Sequence, residues 1–180
     1  MGDFNDAVEF VLADRIEGGY VEHPEDPGGA TNFCISTRFL RSIGEYRDVR
    51  SLTRQNAIAL YKKYFWDQVC GDQIADQDLA LCLFDAAVNQ GPAAAVRFLQ
   101  EALNRYEAGA SLPVDGVMGP ETVAVANAVA PDASTGDELE FRYILWRLQH
   151  YAALANNKPQ FRTFIRGWLN RMLYLFDQVN

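Results

Sequence analysis

The sequence predicts a mostly α fold, packed as one globule around a buried central helix. Three observations predict it. Helical periodicity dominates the chain while strand signals are nearly absent. Residues 77–89 (QDLALCLFDAAVN) are apolar almost all round, the pattern of a helix covered on every side. No linker divides the 180 residues, 49% of them hydrophobic, into separable halves.

The elements follow in order. Asp3 caps a first helix with Phe4, Val8, Val11, Leu12 and Ile16 on one face, and Gly18-Gly19 ends it. Pro24, Pro27, Gly28 and Gly29 make residues 20–33 an ordered loop, with room for a short hairpin in the segment near 18–33. A short helix is expected over Ser36–Ile43. Ser51 or Thr53 caps the next, with Ile58, Tyr61 and Phe65 inward. Asn89-Gln90-Gly91-Pro92 stops the central helix and starts another, whose Val96, Leu99 and Leu103 face the core. A loop over 109–119 precedes a helix opened by Pro120, and Pro131 to Gly136 reads as a break. Two long helices close the chain. Phe161, Phe164, Ile165, Trp168, Leu169, Met172 and Phe176 recur at helical spacing in the last and are expected in the core. The halves, 1–91 and 92–180, are expected to differ in role yet pack as one unit.

Composition excludes several functions. The net charge of −8 is poorly matched to a nucleic-acid backbone, and it does not steer the chain toward an anionic surface. A polyanionic substrate must therefore be held by local contacts. No run of about 18 apolar residues supports a membrane span. Three cysteines without a CxxC, and two histidines without a metal-binding spacing, predict neither disulfides nor a metal site. No cofactor is expected, and a monomer is. The first residues lack the features of a secretory leader, so synthesis in the cytoplasm and release by another route are expected.

Residues 17–31, EGGYVEHPEDPGGAT, concentrate the chemistry. Glu17, Glu22, Glu25 and Asp26 place four carboxylates within ten positions of a loop stiffened by proline. Glycoside hydrolysis needs two carboxyl groups in unlike environments, one protonated and one ionised. Glu17 suits the acid. A helix C-terminus and the apolar neighbours Ala13 and Ile16 both disfavour its charged form. Asp26, in a wetter loop, suits the base or an electrostatic stabiliser, and the Thr31 hydroxyl suits the orienting of a water. Each also has a plain structural reading, as helix punctuation, turn residue and cap. Aromatic faces and amides hold sugar rings, which makes Tyr20, Phe33, Trp66, Asn89 and Gln90 candidate substrate contacts, with His23 beside them. Trp66 reads equally as a core residue. Asp85 and Asn89 lie one turn apart on the buried helix and demand hydrogen-bond partners; the loop carrying Asp26 is the partner expected.

The stretch E-G-G-Y-V-x-x-P-x-D-P-G-G-A-T-N-F, from Glu17 to Phe33, resembles the signature of glycoside hydrolase family 108. These are lysozyme-like N-acetylmuramidases of phage endolysins and secretion activator proteins. The resemblance implies a Glu general acid at Glu17. The spacing to Asp26 and Thr31 also resembles that of phage-type lysozymes, which implies that these two position the attacking water. Leu112 to Thr122, with D-G-x-x-G-P-x-T, is similar to an element of peptidoglycan-binding helical modules. Phe84–Gly91 and Gly167–Arg171 match the companion region, so the likeness spans nearly the whole chain. Two positions depart: the family often has Gly-Ile where this chain has Cys34-Ile35, and Asn-Asp where it has Glu22-His23. The implied activity is cleavage, by inversion, of the β-1,4 bond between N-acetylmuramic acid and N-acetylglucosamine in peptidoglycan glycan strands. The implied setting is an endolysin or a secretion-associated muramidase, released through a holin or a secretion apparatus. The alternatives are a lytic transglycosylase and a non-catalytic wall-binding accessory protein.

Overall fold

A computed structural model describes residues 1–13, 19–22, 28–106, 111–129 and 133–179. Among them the fold is mostly α, with eight α-helices and one two-stranded sheet. No helix there is long and apolar enough to cross a membrane.

Helix α1 (Phe4–Val11) starts where Asp3 accepts a hydrogen bond from Asn5 N at 2.7 Å, and it buries Ala7, Val8, Phe10 and Val11. It closes at Leu12, so the expected helix running as far as Gly18 is not continuous. Thr53, rather than Ser51, caps α3 (Arg54–Tyr61) in a reciprocal pair with Asn56. The chain continues as a π turn, Lys62–Trp66. That wider turn brings Phe65 and Trp66 inward together, so both are buried beside Tyr61.

Helix α4 (Gln77–Gln90) is the predicted centre. Every residue from Leu79 to Ala87 is buried, Asp85 included. Helices α1, α5 (Pro92–Tyr106), α7 (Ala133–Asn157) and the π turn all pack on it. Gly91 makes the junction. Its φ of 92° and ψ of 149° suit glycine alone, and its N–H bonds Ala87 O while its carbonyl receives Ala95 N–H. The chain thereby ends α4 and begins α5 at one residue, and the two helices pack side by side.

Three expectations fail in the last third. Helix α7 begins at Ala133, inside the expected break. Residues Pro159–Phe164 form a tighter 3-10 turn ahead of α8 (Ile165–Gln178). Leu169 and Phe176 are exposed rather than in the core, and Phe161, Phe164, Ile165 and Trp168 are half-buried. The buried stripe of α8 is Arg171, Met172 and Leu175, followed by Val179. The cause is polar. Arg171 turns inward to meet Asp85, and this rotates the helix away from the face that apolar spacing alone would choose.

Candidate active site and its supports

Strand pairing begins inside the expected segment, where Val21 bridges Thr31, and runs on into a hairpin at 31–36. Strand β1 (Thr31–Asn32) pairs antiparallel with β2 (Ile35–Ser36), with Thr31 opposite Ser36 and Asn32 opposite Ile35. The connecting residues Phe33 and Cys34 both adopt positive φ, 52° and 55°. That is the two-residue turn whose twist matches the strands, here built without the usual glycine. Surrounding bonds hold it. Tyr61 donates its hydroxyl to Phe33 O, and Asn32 Nδ2 donates to Val49 O at 3.0 Å. Ser36 caps α2 (Thr37–Ser42) by accepting from Phe39 N.

Thr31 is half-buried and exchanges both backbone bonds with Val21, at 2.9 and 2.8 Å. Its hydroxyl also lies 3.4 Å from Val21 O, a long contact. Tyr20 is exposed, with its hydroxyl donating to Glu22 at 2.8 Å and Arg50 over its ring at 5.3 Å. The Glu22 acceptor holds the Tyr20 phenol above its ordinary pKa. Beside Tyr20 and Thr37 opens a cavity of about 310 Å³, rimmed by Arg41, Arg47, Arg50 and the highly exposed Tyr46. Glu22 and Asp48 share the lining, and Arg47 and Arg50 pair with Glu45 and Asp48, so the rim carries both signs of charge. Glu17, His23 and Asp26 lie outside the described residues.

Beneath the hairpin, Asp85 is fully buried between two guanidinium groups. Arg147 Nη2 donates to Oδ2 at 2.8 Å, and Arg171 Nε donates to Oδ1 at 2.8 Å. Arg171 Nη2 sits 2.7 Å from the same Oδ1 as an ion pair, off hydrogen-bond geometry. Burial pushes the carboxyl up, but the two cations overcome it and hold Asp85 below its ordinary value. Arg171 also lies within electrostatic reach of Cys34. The loop of Asp26, which Asp85 was expected to support, lies outside the described residues; among these, Asp85 is tied to α7 and α8. The sequence showed that a carboxylate inside an apolar helix needs a partner, but not that two arginines of the second half supply it.

The other candidates separate. Trp66 is wholly buried, packed on Phe4 and Phe84, with its indole N–H bonded to Asp72 at 2.7 Å. It cannot offer a face to a sugar, which corrects its reading as a substrate contact. Gly71 explains the fit, because a Cβ there would lie 2.3 Å from the indole. Phe33 is half-buried at the hairpin tip. Asn89 is exposed and accepts from the Tyr151 hydroxyl at 2.6 Å. Gln90 is half-buried and accepts from Arg147 Nε at 2.9 Å. Both amides therefore sit at the edge of the Asp85 cluster. No group of three or more His, Cys, Asp or Glu side chains among the described residues is placed to hold a metal.

Comparison with known proteins places these features. The family model described as Glycosyl hydrolase 108 matches residues 9–91, and that described as Predicted Peptidoglycan domain matches residues 94–173. A solved structure of SagA from Brucella abortus superposes with a TM-score of 0.78 at 30% identity, covering 98% of this chain and 92% of that one. No curated protein matches the chain.

Proposed function

This chain belongs to the glycosyl hydrolase 108 family, and from that premise we propose that it hydrolyses peptidoglycan as an N-acetylmuramidase. Glu17 protonates the oxygen leaving between N-acetylmuramic acid and N-acetylglucosamine. Asp26 draws a proton from the attacking water, and Thr31 orients that water. The water attacks the face of the sugar opposite the departing oxygen, so the configuration inverts. This requires about 6.5–9.5 Å between the two carboxyl groups.

One observation carries the reading furthest. The Val21–Thr31 pairing closes the loop that contains Asp26, and it pins Thr31 beside a residue four positions after Glu17. Residues distant in sequence are thereby tied at one edge of the hairpin. The wall-directed C-terminal half supports the same substrate. Endolysis and secretion-linked wall opening both fit a chain that acts on the wall after release.

The product tests the chemistry. Purified chain acting on peptidoglycan should release fragments that end in a reducing N-acetylmuramic acid residue, α at first formation by proton NMR. A β product would sink the inverting mechanism, and a 1,6-anhydro end by mass spectrometry would make the protein a transglycosylase.

A further inference from the structure

Among the described residues, Phe33 and Cys34 are consecutive non-glycine residues with positive φ. Both carry a β-carbon that the left-handed region disfavours, and neither has the short polar side chain with which asparagine offsets the cost. The strands on either side are short. Each contributes two residues, and a two-stranded hairpin is marginal on its own. The bonds that maintain this turn must then come from outside the hairpin.

They reach it at its base, its flank and its tip. At the base, Arg38 N donates to Gly28 O at 3.0 Å and Thr37 N donates to Ala30 O at 2.9 Å, which hangs residues 28–30 on the first turn of α2. On the flank, Asn32 Nδ2 donates to Val49 O. At the tip, the Tyr61 hydroxyl donates to Phe33 O. The first two fix where the strands begin and lie, while the third acts on the left-handed pair itself. Tyr61 is the last residue of α3 and is wholly buried. Its ring meets Phe84 of α4 edge-on, with centres 5.9 Å apart, and Phe65 of the π turn at 5.6 Å. The central helix thus holds the ring, and the ring carries the hydroxyl to the hairpin. Phe33 directly follows β1, so the place of its carbonyl sets that of Asn32 and Thr31. Thr31 in turn exchanges both backbone bonds with Val21 and closes the loop that contains Asp26.

We propose that Tyr61 is a positioning residue for glycan cleavage, a role that rests on the reading of Thr31 as the residue that orients the attacking water. Through Phe33 O it holds the left-handed turn, and with the turn the Thr31 hydroxyl. The ring of Tyr61 is buried, so it acts through the hairpin and touches no substrate. Strain held by surrounding bonds beside a reacting centre pre-organises that centre. Released from Tyr61, the turn relaxes toward a less costly backbone and carries Thr31 away from the water, and small misplacements of that kind are expensive in rate.

The test is Tyr61→Phe in the full chain, read by amide hydrogen exchange and by kinetics on soluble glycan strands. The variant loses one oxygen and keeps its ring, so its melting temperature should fall by only about 2–4 °C. The Val21 and Thr31 amides should exchange at least about tenfold faster than in the parent, while those of α4 keep their rates. The kcat should fall at least about tenfold with KM within about twofold, the pattern of an interaction that serves the transition state. Adding Cys34→Gly relieves one left-handed position of its β-carbon, and it should restore the exchange protection and bring kcat to within about threefold of Cys34→Gly alone. A loss of packing around the ring would not be mended by a glycine in the hairpin. Unchanged exchange at Val21 and Thr31, or a glycine that restores neither readout, overturns the proposal. A parent that cleaves while Tyr61→Phe matches its kcat overturns it alone, whereas a parent that cleaves nothing overturns the functional reading and this role with it.

Discussion

Cys34 occupies a left-handed backbone position with φ of 55°, next to Phe33 in the same region. A β-carbon there costs about 1–2 kcal/mol, which glycine avoids. The hairpin of this chain carries that strain at both Phe33 and Cys34. Cys34→Gly should stabilise the protein by about 0.5–1 kcal/mol, after the greater freedom of glycine in the unfolded chain is subtracted. Urea unfolding measures this, and a lowered midpoint would show that the half-buried thiol contributes more by packing than the backbone loses. Trp66 teaches the converse. Its neighbours Tyr61 and Phe65 left both burial and stacking open, and the π turn with Gly71 decided for burial. A glycine that accommodates an indole ring is indistinguishable, in sequence, from a glycine in any turn.

Among the elements, α4 was legible because it lacks a polar face, and its C-terminal end was legible from Gly91, while its cap at Asp76 came only with the structure. The rotation of α8 was not. Apolar residues occur around more of that helix than the core can cover, so periodicity did not single out one face. Arg171 and Asp85, 86 residues apart, made the choice. Removing the carboxylate tests this. Asp85→Asn leaves two buried cations uncompensated and should cost about 3–5 kcal/mol. The same group predicts the acid response. Its pKa is lower folded than unfolded, so its stabilisation is complete above the unfolded value near 3.8 and declines as pH falls through the folded value. Stability of the parent should therefore drop more steeply below pH 4 than that of Asp85→Asn. Parallel pH profiles of the two unfolding midpoints would contradict the assignment.

At the scale of the whole molecule, one core runs from Ala7 through α4 to Leu175 and Val179. The two halves share it, and the Asp85 cluster ties α4 of the first to α7 and α8 of the second. Nothing in the spacing of the second half revealed this coupling, because its partners are distant in sequence and polar. The motif around Glu17 was the most legible feature of the chain, since its prolines and glycines restrict the backbone as strongly as its carboxylates suggest chemistry. The shared core makes one body of the half that matches the glycosyl hydrolase model and the half that matches the peptidoglycan model, as a wall-cleaving account requires. That account depends first on Glu17. Purified Glu17→Gln should keep the melting temperature of the parent and release wall fragments at least about a hundredfold more slowly, the loss expected for a missing general acid. A folded Glu17→Gln protein that clears peptidoglycan at the parental rate would contradict it.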